Sequence, residues 1–194
     1  MNARKKIPAL TATVEAVLMT TDAASFVTAR QPHIAVELAG IPGDRHYGLL
    51  RPADSRQTIY RRGTLIANRR QISVVSAEEC ALIAARLGIP HVLPEWLGAN
   101  LALSGLADLT QLPRGARLLF PDGTGLVCEG DNPPCIGPGR VVEAQSGVPG
   151  LSQRFVRAAG GRRGIVCSVE REGVIAEGDL VSIVFDGVPQ PARE

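Results

Sequence analysis

Glycine and proline interrupt this sequence so often that only short elements fit between them, with 21 glycines and 14 prolines along the chain. The interruptions fall at Gly40-Ile41-Pro42-Gly43, at Gly98 and Gly105, at Pro113-Arg114-Gly115, at Pro121-Asp122-Gly123-Thr124-Gly125, and at Gly173 and Gly178. Proline removes a backbone donor and glycine admits positive φ, so each cluster marks a turn. The runs between them are short and rich in β-branched residues. Residues 11–19, 33–38, 71–75, 98–106, 116–120, 126–129, 165–169 and 180–185 read as strands, with 141–143 as a brief continuation. Seven or eight short strands with few helices predict a mainly β protein, a closed β-barrel decorated by helices.

Two helices stand out. Ser76-Ala77-Glu78-Glu79 reads as a capping box, with Ser76 accepting from the amide of Glu79 and Glu79 reaching back to the amide of Ser76. Cys80, Ile83, Ala84 and Leu87 then form one apolar face, which Gly88 and Pro90 terminate. Residues 151–159 form a shorter amphipathic helix that ends at Gly160-Gly161.

A length of 194 residues fits one domain, at ~100–200 residues per domain. The expected boundaries are a basic tail over 1–10, a domain over 11–185 and a loosely ordered tail over 186–194. No run approaches the ~18 apolar residues of a membrane helix, and no apolar signal-length stretch follows the basic N-terminus, so the expectation is a cytoplasmic protein. Aromatic residues make up 4% of the chain and the net charge is +2, which argues against base-stacking platforms and nucleic-acid binding. Four cysteines (80, 128, 135 and 167) lack CxxC spacing and are expected as free thiols; a regulatory Cys128–Cys135 disulfide is the alternative. Three histidines without metal-ligand spacing give no support to a zinc site or a Ser-His-Asp triad.

Chemistry concentrates in a few stretches. In Asn132-Pro133-Pro134-Cys135-Ile136-Gly137-Pro138-Gly139, the prolines and glycines predict a stiff, turned loop that presents one thiol. Cys135 there is either an ordinary small turn residue or a sulfur aimed at a ligand. Gly43-Asp44-Arg45-His46-Tyr47-Gly48 packs a carboxylate, a guanidinium, an imidazole and a phenol into one turn, as a site or as a solvated local ion pair. The connection over 49–69 and its flank carry Arg51, Arg56, Arg61, Arg62, Arg69 and Arg70, a set suited to an anionic partner or to solvent. Asn100 at a strand start can fix a polar ligand edge or bond its own turn. Arg162 and Arg163 beside a diglycine can approach an anion, although a helix C-terminus itself repels one.

Taken together, these segments resemble the molybdenum cofactor sulfurase C-terminal domain family, the MOSC domains. Gly43-Asp44-Arg45-His46, the strand and capped helix over 70–79, Gly98-Ala99-Asn100-Leu101, Pro134-Cys135 and the stretch from Gly161-Arg162-Arg163-Gly164 to Gly178-Asp179 occur in the family's order. The resemblance runs from the first strand to Phe185. It implies a pyruvate-kinase-type β-barrel and a cysteine, Cys135, that handles sulfur or ligates molybdenum. It also places Asp44, Arg45, His46 and Asn100 near the pocket of a molybdenum cofactor (molybdopterin), with Arg162 and Arg163 as further cofactor contacts. In larger relatives the domain serves cofactor sulfuration or molybdenum-dependent reduction of N-hydroxylated compounds. This sequence contains neither an iron–sulfur cysteine pattern nor an aminotransferase-like domain. A sulfur donor such as a cysteine desulfurase, or an electron donor, is therefore expected to be a separate protein. Two mechanisms follow from the resemblance: Cys135 carries sulfane sulfur as a persulfide, or its thiolate is a soft ligand to molybdenum while arginines clamp the pterin phosphate. The rival is a binding module without chemistry, docking an acidic partner through the arginine-rich 51–70 segment.

Overall fold

Apart from 141–143, the strand-forming runs do become strands, and the longest of them closes the molecule. The computed structural model describes residues 9–22 and 24–185. In chain order its elements are strands β1 (Ala9–Met19), β2 (Ala29–Gln31), β3 (His33–Val36), β4 (Leu50–Pro52), β5 (Leu65–Ala67) and β6 (Ile72–Ser76), then helix α1 (Ala77–Leu87) and β7 (Leu101–Ser104). They continue with β8 (Arg117–Leu119), β9 (Gly125–Asp131), α2 (Ile136–Ser146), α3 (Leu151–Ala158), β10 (Ile165–Arg171), β11 (Gly173–Ala176) and β12 (Leu180–Val184). Single 3₁₀ turns occupy Pro94–Leu97 and Leu109–Gln111. Of the tail expected over 1–10, residues 1–8 lie outside the described residues, as does the tail expected over 186–194, while Ala9 and Leu10 already belong to β1.

Seven strands form the barrel in the order β1-β12-β8-β9-β10-β6-β7 and back to β1, with β2 as an extension on β1. β1 makes closure possible because it is long enough to pair twice. Its first half runs antiparallel to β12 (Ala12↔Val181) and its second half to β7 (Val17↔Leu101), with a bulge between Val14 and Ala16. All barrel pairings are antiparallel except β6–β7. A parallel pair needs a crossover, and α1 supplies it. Two small sheets, β3–β11 and β4–β5, sit outside the barrel.

The apolar residues divide into two cores. Val14, Val17, Ile72, Val74, Leu101, Leu103, Leu118, Leu126, Ile165 and Ile183 fill the barrel. Leu18, Val75, Ile83, Leu87, Leu97, Leu151 and Phe155 lie between the barrel wall and the helices. β6 contributes to both, which is why all five of its residues are buried and its sequence shows no alternation.

Three expectations are corrected in detail. Ser76 Oγ does accept from the amide of Glu79 at 3.2 Å, but Glu79 does not reach back; its carboxylate accepts from the Thr110 amide at 3.0 Å and the Thr110 hydroxyl at 2.7 Å. Glu78 takes the Ser76 hydroxyl instead, at 2.7 Å. Residues 136–143 are helical, not loop and strand. Pro138 falls in the first turn of α2, where a backbone N–H has no intrahelical partner to lose. The Cys128–Cys135 disulfide does not form: all four cysteines are free, with Cys80, Cys128 and Cys167 buried and Cys135 half-buried.

Candidate functional site

Cys135 is the N-cap of α2, extended at φ −136° and ψ 175°, and its side chain makes no capping bond. The sulfur opens on a cleft of 370 Å³. Five arginines line the same cleft: Arg45, Arg51, Arg56, Arg70 and Arg163. They come from four separate parts of the chain. Arg45 sits on the turn after β3. Arg51 lies in β4 and Arg56 follows it, Arg70 precedes β6, and Arg163 precedes β10. His46, Phe26, Ser73, Asn132 and one carboxylate, Asp54, are also part of the wall.

Each cation is held by what surrounds it. Arg70 donates to Asn132 Oδ1 at 2.6 Å, and Asn132 in turn donates to Ser73 Oγ at 3.3 Å. Burial lowers the Arg70 pKa to about 10, helped by repulsion from Arg56 and Arg51. Arg163 is only 5% exposed. One of its terminal nitrogens donates to the Leu97 carbonyl, while Nη1 is buried with no hydrogen-bond partner among the described residues. Burial lowers its pKa to about 10 as well. The next residue, Gly164, adopts φ +83° and lies tight against β6, where a Cβ would collide with the Val74 carbonyl. Arg45 donates to the Ser25 carbonyl and stacks over Phe26, 5.0 Å from the ring centroid. Arg51 and Arg56 share Asp54, at 2.7 and 3.5 Å. Arg45, Arg70 and Arg163 thus have neutral partners only, and the cleft keeps an excess of positive charge.

Asp44 and Asn100, both named from the sequence, stand behind the cleft wall. Asp44 is 5% exposed. Its Oδ1 accepts from the His46 amide at 2.9 Å and pairs with His46 Nδ1 at 3.0 Å; its Oδ2 accepts from the Thr20 amide and the Asn100 amide group, each at 3.2 Å. Burial opposes its charge, yet the His46 and Thr20 bonds win and hold the carboxyl below the usual aspartate range. Asn100 also accepts from the Ser73 amide at 3.0 Å and donates to the Leu18 carbonyl at 3.3 Å. These two residues therefore fix the frame on which His46 and Ser73 are mounted. Arg162 does not line the Cys135 cleft; its field falls on Glu79.

Sequence reasoning placed Cys135, Asp44, Arg45, His46, Asn100, Arg162 and Arg163 in one group; the fold brings Cys135, Arg45, His46 and Arg163 together on the cleft wall, and Asp44, Asn100 and Arg162 do not line it. Sequence reasoning did not single out Phe26, Asn132 or Ser73, which carry no chemical signature of their own. Asn68 was also missed. It is buried, and its side-chain amide donates to the carbonyls of His46 at 2.8 Å and Gly48 at 3.0 Å, pinning the 44–48 turn.

Comparison with known proteins gives a consistent picture. Residues 44–182 match the model of the MOSC domain. YuaD of Bacillus subtilis (strain 168), described by its name as a candidate metal-sulfur cluster biosynthesis protein, is 51% identical over 163 residues, covering 84% of this chain and 85% of YuaD. The crystal structure of YuaD superposes with a TM-score of 0.89 at 47% identity, covering 93% of this chain and all of that one (100%). YiiM from Geobacillus stearothermophilus shares the fold at a TM-score of 0.60 and 16% identity, over 91% of this chain and 77% of its own.

Proposed function

This chain belongs to the MOSC domain family, and on that premise we propose that its cleft binds the phosphorylated pterin of a molybdenum cofactor, with the Cys135 thiolate as soft ligand to the metal. The single observation that carries this reading is Arg163 Nη1, a buried cationic donor with no hydrogen-bond partner among the described residues, on a residue that lines the same cleft as Cys135. Burying a charge unpaired is costly, and an anion in the cleft would relieve that cost. The residues fit such a group. Arg70 and Arg163 offer fixed guanidinium forks for a phosphate, and the cleft volume of 370 Å³ falls in the ~300–1,000 Å³ range of small-molecule sites. Bound molybdenum would supply redox-coupled atom transfer. The chain's own part is to bind and orient. The Phe26 ring with Arg45 stacked on it forms a flat wall, and His46, held at Nδ1 by Asp44, keeps Nε2 to take or give a proton in the cleft.

A second reading is favoured by one fact: of four thiols, only Cys135 is not fully buried. As a sulfur carrier, its thiolate would attack the sulfane sulfur of a donor persulfide, such as that of a cysteine desulfurase. A new S–S bond would form at Cys135 as the donor thiolate leaves, with no net redox change. The name borne by YuaD is compatible with this role. On either reading the sulfur or electron donor is a separate protein, and the arginines of the 49–69 connection that face the cleft also form a surface for an acidic one.

The test is purification, without reductant, from a host that makes molybdenum cofactor, followed by molybdenum and pterin analysis and intact mass. Near-stoichiometric molybdenum and pterin are expected, lost in Cys135→Ser and in Arg163→Met while both variants stay folded. A reductant-labile gain of one sulfur atom on wild type alone establishes the carrier reading. Neither signal in wild type rejects both, leaving a docking module.

A further inference from the structure

The two faces of the small β4–β5 sheet meet very different surroundings. This two-stranded ribbon stands outside the barrel, with Arg51 opposite Ile66 and Pro52 opposite Leu65. Side chains alternate across a strand, so Arg51 and Ile66 share one face, and Leu50, Pro52 and Leu65 share the other. The first face is occupied. Arg51 lines the Cys135 cleft and a 510 Å³ space that adjoins it, and Ile66 lines that second space. The other face is bare: Leu50 is 60% exposed and Leu65 66% exposed. Pro52 is exposed beside them, and none of the three lines either space. Single exposed leucines are ordinary, but an apolar cluster on one sheet face marks an interaction surface. The ribbon itself gains nothing from it, because a two-stranded sheet is marginal in water and an uncovered apolar face adds no stability.

The charge around that face says what covers it. From Leu49 to Arg70 the chain carries six arginines and one carboxylate, Asp54. Asp54 is already taken by Arg51 and Arg56. Arg61 and Arg62, in the connection between the two strands, are exposed and pair with no carboxylate among the described residues. A second copy of the chain is a poor occupant. Two-fold pairing sets the same patch against itself, which would crowd these arginines into one interface, and like charges facing each other there are strongly unfavourable. An apolar centre with a cationic rim instead matches a surface with an apolar centre and a rim of carboxylates.

We propose that the outer face of the β4–β5 ribbon docks an acidic partner protein, whose apolar side chains cover Leu50, Pro52 and Leu65 and whose carboxylates pair with Arg61 and Arg62. This rests on the preceding reading in one respect, that the sulfur or electron donor is a separate protein. It adds where that protein sits and what holds it. A protein seated there is separated from the Cys135 cleft by the ribbon alone.

Photocrosslinking followed by reconstitution tests this. Benzoylphenylalanine replaces Leu65 in the full chain inside cells, with Leu82, an exposed leucine on α1, as the control position. The protein crosslinked from position 65 is identified by mass spectrometry, purified and titrated calorimetrically with the wild-type chain. The expected partner carries an excess of Asp and Glu and binds one to one. Binding should weaken by roughly tenfold or more in Leu65→Asp and in the Arg61→Glu, Arg62→Glu double variant, as when an interface anchor is lost. It should be unchanged in Leu82→Asp. Binding should also persist in Cys135→Ser, so that a failure of the thiol reading leaves this one standing. Leu65→Asp should in turn leave molybdenum and pterin content as in wild type. The proposal is overturned by a crosslink no stronger than at position 82, by a crosslinked species that is only a second copy of the chain, by a partner without excess carboxylates, or by equal binding of the ribbon variants.

Discussion

Asp44 shows how a residue can matter to a site without entering it. Its carboxylate collects bonds from His46, Thr20 and Asn100 on three different segments, so its charge organises the turn that carries Arg45 and His46 into the cleft. Because its folded pKa lies below that of an unfolded aspartate, the stability it contributes is fully present above the usual value of ~3.9 and is lost as pH falls through the lower folded value. Asp44→Asn should therefore cost about 1–3 kcal/mol at neutral pH. The cost should shrink steadily as pH drops below ~4; urea titrations of both proteins across that range check it, and a cost independent of pH would show that the charge is not what the turn uses. Density of polar groups in Gly43 to Gly48 was visible in the sequence. Which of them faces outward was not, since Asp44 and His46 are two residues apart and only the partners Thr20 and Asn100, 24 and 56 positions from Asp44, decide it.

At the scale of elements, α2 is the informative case. A run with prolines and glycines around Cys135 reads as loop, yet the helix begins one residue after the thiol. The reason is positional: proline interferes with a helix only after its first turn. Gly139 then lets α2 lie against α3, since a Cβ there would meet the Ser152 carbonyl at 2.5 Å and Phe155 at 3.1 Å. Cys135 occupies the N-cap with backbone angles suited to capping but with a side chain that makes no bond. Serine at that position supplies the missing acceptor. Cys135→Ser should raise stability by about 0.5–1 kcal/mol, measured by denaturant unfolding, even as it removes the thiol. A destabilised variant would mean that the sulfur is held by packing, and its functional losses could not be assigned to chemistry.

The whole molecule carries a formal charge of only +2, while the walls of two adjoining spaces hold Arg45, Arg51, Arg56, Arg69, Arg70, Arg114 and Arg163. Positive charge is thus concentrated by the fold, not by composition. Low-dielectric walls focus such a field on the interior of the cleft. Binding of inorganic pyrophosphate should accordingly weaken several-fold as ionic strength rises from about 0.05 to about 0.5 M, where the Debye length falls from roughly 14 to roughly 4 Å. Over the same range the ligand-free protein should become no less stable, because salt also screens repulsion among the arginines. Binding insensitive to salt would show that the guanidinium cluster is not the anion site.

The sequence by itself determined the architecture class. Frequent turns forced short strands, β-branched runs supplied them, and the Ser76 cap and Gly88 stop delimited α1, because each of these is a preference of the backbone over a few residues. It also exposed Cys135 as the one cysteine outside an apolar run, and the order of its motifs carried the resemblance to the MOSC family. Only the tertiary structure decided which arginines converge. Arg162 and Arg163 are adjacent and chemically identical, yet only Arg163 is buried in the wall of the Cys135 cleft. Arg70 becomes a site residue because Asn132, 62 positions away, meets it across the barrel rim. Local sequence has no access to such pairings, since they exist only once β1 has closed the barrel and brought the ends of β6, β9 and β10 to one side.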